Sequence, residues 1–104
     1  MSVGSTILSI ENLSQSVAAL LGNPAAFSAG YQATLIATYN NIIADVALLS
    51  LTAAQRAQIA TVLTQARDTI AAATIGAITV QQINTVLELN QLAVLKLNTF
   101  AFLG

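Results

Sequence analysis

Four carboxylates are the only acids in the chain: Glu11, Asp45, Asp68 and Glu88. Three bases accompany them, Arg56, Arg67 and Lys96, and there is no His, Cys or Trp. Those absences remove the commonest acid–base catalyst and the most readily ionised nucleophile. One arrangement still has chemical potential. The acids are spaced so that each falls on a different predicted helix, and four inward-facing carboxylates can hold metal ions. Dinuclear carboxylate bundles, however, also draw on Glu-x-x-His pairs, and no His is present to form one. Each acid is therefore read as marking the wet or ion-paired strip of its own helix. No enzyme activity, cofactor or metal site is expected.

Other chemical patterns are equally sparse. Adjacent residues on a helix point in different directions, so Arg67 and Asp68 are expected to pair with a neighbouring helix or subunit rather than with each other. Tyr31 and Tyr39 lie two turns apart and read as core aromatics whose hydroxyls reach the rim. The five glycines are isolated, so no phosphate-cradling loop is formed. Net charge is −1, with charged residues at 7% of the chain. Without a basic patch to neutralise phosphates, nucleic acid is excluded as a partner. The W-x-G turn of small secreted helical proteins is ruled out by the absence of Trp.

The elements that must position these residues are well punctuated. Ser5 is placed to cap a first helix whose apolar positions are Ile7, Ile10, Leu13, Val17, Leu20 and Leu21. Gly22 is expected as a left-handed cap, and Asn23-Pro24 as the start of a second helix. Leu35, Tyr39, Ile42, Val46 and Leu49 form that helix's stripe. Thr52-Ala53-Ala54-Gln55 and Thr79-Val80-Gln81-Gln82 both match a capping box, in which the Thr and Gln side chains satisfy each other's backbone N–H. They open the third and fourth helices. The third carries the stripe Ile59, Val62, Leu63, Ala66, Ile70 and Ala73.

The last segment is the least ordinary. VLELN (Val86 to Asn90) recurs as VLKLN (Val94 to Asn98), with the acid exchanged for a base. Its alternation could mean a strand, but Leu, Glu, Gln, Ala and Lys favour helix, and a capping box lies upstream. On a helix, Asn84, Glu88, Gln91 and Asn98 share a narrow polar strip, and nearly everything else is apolar. A helix apolar almost all round is buried on most sides.

The fold expected is therefore all-α: an antiparallel four-helix bundle with short turns, helices about 6–21, 24–50, 53–75 and 80–98, in a single domain spanning 1–104. Apolar residues make up 56% of the chain, more oily surface than a domain of this size is expected to hide alone. A near-neutral net charge further favours association. The function expected is structural: a self-assembling helical protein forming a homo-oligomer, fibre, shell or layer on a cell, spore or virion. An extracellular, spore or virion surface is the location that fits. The partner is the chain itself. A membrane-associated or inserting helical protein and a carrier of an apolar ligand are the alternatives, although no uncharged window forms a clean span. The candidate assembly interface is Leu89, Leu92, Leu95, Phe100, Phe102 and Leu103, with the terminal segment docked in its own bundle or on a neighbouring subunit.

Overall fold

The computed structural model describes residues 2–102. Four α-helices account for most of them: α1 (Val3–Ala18), α2 (Ala29–Val46), α3 (Ala53–Ala72) and α4 (Val80–Phe102). They form an all-α antiparallel bundle, and no strand occurs among the described residues. Each helix packs against its two neighbours in a ring, α1 and α3 both flanking α4, with α1 and α2 in the loosest contact. The bundle measures 41 × 19 × 19 Å.

The capping chemistry explains where each helix starts. Both T-x-x-Q boxes are formed. Gln55 N–H donates to Thr52 Oγ1 at 3.1 Å, and Thr52 N–H donates back to Gln55 Oε1 at 3.1 Å. The Thr79–Gln82 pair does the same at 3.0 Å in each direction. The first helix begins earlier than expected. Ser2 is its cap, and Ser5 is the third helical residue of a Ser2–Ser5 box rather than the cap itself. A Ser at either position can bond the exposed N–H groups; with Ser2 as the cap, Ser5 completes the box and Val3, in the added turn, packs against the core.

The second helix departs furthest from the sequence reading. Pro24 opens only a 3-10 turn, Pro24–Ala26, and α2 proper starts after Ser28. Ser28 Oγ accepts from Tyr31 N–H at 3.0 Å and so caps a new helix. Between them Phe27 turns inward and is fully buried, which a continuous helix from Pro24 does not provide. Gly22 is not left-handed either: its φ is −89°, because residues 19–21 close the first helix as a 3-10 turn. At its far end α2 stops at Val46 instead of Ser50. The following turn buries Leu49, and the Arg56 guanidinium donates to the Leu49 carbonyl at 3.3 Å and to the Leu51 carbonyl.

Helix α3 ends at Ala72, where Gln32 Nε2 donates to the carbonyls of Ile70 and Ala71 at 3.1 and 3.3 Å. The last carbonyls of a helix lack the usual i+4 donors; here the Ile70 carbonyl accepts from Ala73 N–H at 3.2 Å, and a side chain from α2 serves both carbonyls. Gly76 adopts φ +75° in the next turn, and its N–H donates to the Phe27 carbonyl at 2.7 Å, tying two loops at one end of the bundle. A Cβ at Gly76 would meet nothing within 4 Å. Gly76→Ala is therefore expected to cost about 1 kcal/mol through backbone strain alone. Urea unfolding measures it, and an unchanged midpoint would contradict the assignment.

The core is a single cluster built from the predicted stripes. Every residue of the stripes expected for the second and third helices is buried, and α1 with the 3-10 turn after it contributes Ile10, Leu13, Val17 and Leu20. Fully burying one such side chain is worth roughly 1.5–3 kcal/mol, so the stripes dictate which face of each helix turns inward. Of the first stripe as expected, Ile7 is only partly buried and Leu21 is exposed: in the 3-10 turn at residues 19–21, Leu20 takes the inward place and Leu21 does not.

Candidate functional site

Helix α4 divides into three strips. Ile83, Val86, Asn90, Ala93 and Leu97 are buried at alternating three- and four-residue spacing. Leu87, Leu89, Val94 and Phe100 flank that seam, partly buried against the core. The outer strip carries Leu92, Leu95 and Phe102, which are 40%, 62% and 75% exposed. With Glu88 and Thr99 they continue the same three-four spacing on the opposite side of the helix. Ionised side chains are few enough that this strip stays largely neutral.

These positions locate the expected interface residues. Leu92, Leu95 and Phe102 share the outer strip. Leu89 and Phe100 spend part of their surface within their own bundle. Leu103 lies outside the described residues. The closing segment was expected to dock after a helix ending near residue 98, but α4 continues through Phe102. Phe100 supplies the docking, and Lys96 Nζ stands 6.0 Å from its ring centroid. Phe102 points away. Leu48, in the α2–α3 turn at the same end of the antiparallel bundle, is 72% exposed.

One feature of the interior escaped the sequence reading. Tyr39 and Asn90 are both fully buried. The Tyr39 hydroxyl donates to Asn90 Oδ1 at 2.8 Å, and Asn90 Nδ2 donates to the Ser14 hydroxyl at 3.0 Å. This chain crosses the core from α2 through α4 to α1. Tyr39 does not reach the rim as expected; its hydroxyl finds a partner inside. No described buried side-chain polar atom is left unpaired. Asn90 was legible in principle, since it sits in phase with Ile83, Val86, Ala93 and Leu97. Tyr31 fits the rim reading: its hydroxyl donates to the Ser16 carbonyl at 2.5 Å.

Burial pushes the Tyr39 phenol well above its ordinary pKa of about 10, against a smaller lowering by the Asn90 bond. The unfolded chain then loses that proton at lower pH than the folded one. The stabilising contribution is complete below about pH 10 and is lost as pH rises beyond it, by up to about 1.4 kcal/mol per unit. Alkaline titration followed by phenolate absorbance and circular dichroism is expected to show Tyr39 ionising together with unfolding. Ionisation of both tyrosines with helicity intact would contradict this.

The charged residues occupy the surface. Arg67 donates to Asn40 Oδ1 on α2 at 2.9 Å, as expected of a cross-helix contact. It also pairs with Asp68, at 3.2 Å, contrary to the expectation for adjacent residues. The long guanidinium stem bends back along the helix surface, a reach that backbone direction alone does not capture. Exposed pairs of this kind contribute little to stability. Among the described residues, no group of three His, Cys, Asp or Glu side chains could hold a metal ion.

Two hollows among the described residues are surface grooves. One of about 420 Å³ follows the loose α1–α2 contact, between Ser9, Asn12 and Ser16 on one side and Thr34 and Thr38 on the other. Another, about 400 Å³, lies between α1 and α4 beside Glu11, Ser14 and Gln91. Comparison with protein-family models, with curated proteins and with solved structures finds no match. Among the described residues, no helix is long and apolar enough to cross a membrane.

Proposed function

We propose that this chain is a structural protein whose working form is an assembly of its own copies, as a fibre, shell or layer on a cell, spore or virion. The observation that carries the reading is the exposed row Leu92, Leu95 and Phe102 on a helix whose opposite side is already packed. Large apolar side chains lined up on one solvent-facing strip favour coverage by a partner. Permanent interfaces resemble a domain core cut in half, and this strip repeats the spacing of the core seam behind it. The low charge of the whole surface, with three bases and four acids in 104 residues, weakens the repulsion that keeps copies apart.

Negative-stain microscopy of the full chain, purified without detergent, tests the proposal. Regular rings, sheets or filaments are the expected result. Isolated small particles would overturn it. Monomeric protein that floats with liposomes would favour membrane association instead.

A further inference from the structure

We propose, building on the self-association reading, that two copies pair side by side through α4, antiparallel, about a two-fold axis beside Leu92. The argument starts from the two charges of α4, Glu88 and Lys96. Glu88 is exposed on the outer strip, and Lys96 stands at its edge, with Nζ 3.3 Å from Gln58 Oε1. Among the described residues the one ion pair is Arg67–Asp68. Among the described residues, neither Glu88 nor Lys96 therefore has an oppositely charged partner in its own copy.

Two pairing directions are open to identical helices. In parallel, Glu88 meets the second copy's Glu88 and Lys96 meets its Lys96, and like charges repel. In the antiparallel direction the register decides. Helix α4 runs Val80–Phe102, so its midpoint is residue 91. An axis beside Leu92 overlaps the two helices along nearly their whole length. That same register sets Glu88 level with the second copy's Lys96, twice by symmetry. It also sets Leu89 level with Leu95, Thr85 with Thr99, and Leu92 with itself. The centres of the recurring segments VLELN and VLKLN, Glu88 and Lys96, lie four residues before and four after Leu92, so the axis brings the acid of one copy to the base of the other. Full overlap and charge pairing thus select one arrangement independently. A two-fold contact of this kind uses one patch on both copies. Growth of a larger assembly then falls to other surfaces, such as the end carrying Leu48.

The chain has no Cys, so a single introduced thiol reports the register. Leu92→Cys is expected to form a covalent dimer under mild oxidation, because its two copies meet at the axis within disulfide reach. Leu95→Cys is expected not to, since its two copies lie roughly 9 Å apart along the helices. Glu88→Lys alone is expected to weaken association about tenfold, and adding Lys96→Glu to restore it to within about threefold of the unaltered chain. Sedimentation velocity reads the affinities, and circular dichroism checks that each variant keeps its helices. If the unaltered chain associates but Leu92→Cys does not cross-link and the double exchange does not rescue, the α4 pairing is wrong while self-association stands. If the unaltered chain is monomeric at every concentration, both readings fall.

Discussion

Tyr39→Ala is expected to remove about 3–5 kcal/mol of folding stability, a large share of the roughly 5–15 kcal/mol typical of a domain this size. Tyr39 is the largest fully buried side chain, and its hydroxyl anchors the polar chain through Asn90 to Ser14. Truncation therefore leaves both a cavity and an unpaired amide oxygen. Two further variants separate these effects. Tyr39→Phe keeps the ring and strands only Asn90 Oδ1, for about 1–2 kcal/mol. Asn90→Leu strands the phenol instead, at a similar or greater cost. Combining Tyr39→Phe with Asn90→Leu removes both partners, so the double variant is expected to cost less than the two singles together. Urea unfolding followed by circular dichroism measures all four. Strict additivity would show that the hydrogen bond contributes nothing of its own.

Exchanging Leu92, Leu95 and Phe102 together for Gln is expected to act in the opposite way, on association rather than on folding. These side chains are substantially exposed in the single copy, so each exchange is expected to alter monomer stability by no more than about 0.5 kcal/mol. At a contact, losing a central, well-packed anchor costs more than about 1 kcal/mol. Three such losses weaken self-association by roughly a hundredfold or more. Light scattering across a dilution series reads the shift, and thermal melting of the diluted protein checks the fold. An unchanged assembly would remove this strip from the contact. A collapse of the monomer's melting temperature would mean that the strip is part of the core.

The bundle was legible because its signals were redundant. Two capping boxes, two glycine-bearing loops and three stripes at helical spacing all pointed the same way, and the alternation in the last segment could not outweigh them. What failed was local competition. Asn23-Pro24 and Ser28 are both good helix starts, and nothing in the chain alone says that Phe27 must turn inward between them. Ser2 and Ser5 pose the same ambiguity at the start of the first helix. Asn90 was passed over for another reason: polar residues on α4 were read as one solvated strip, although Asn90 falls a third of a turn from it, in the seam. Its partner, the Tyr39 hydroxyl, comes from a helix about fifty residues earlier, and such pairing is a property of packing rather than of local sequence. The outer strip was legible only in part. Excess apolar surface on the last helix followed from composition, but which leucines face outward depended on where α1 and α3 flank α4.

The mass of the full chain in detergent-free buffer tests the central claim most directly. Size-exclusion chromatography with light scattering, run over a wide concentration range, is expected to give a multiple of the 10.7 kDa chain mass, rising with concentration. A particle of 10.7 kDa at every concentration, with its helices intact, would contradict it.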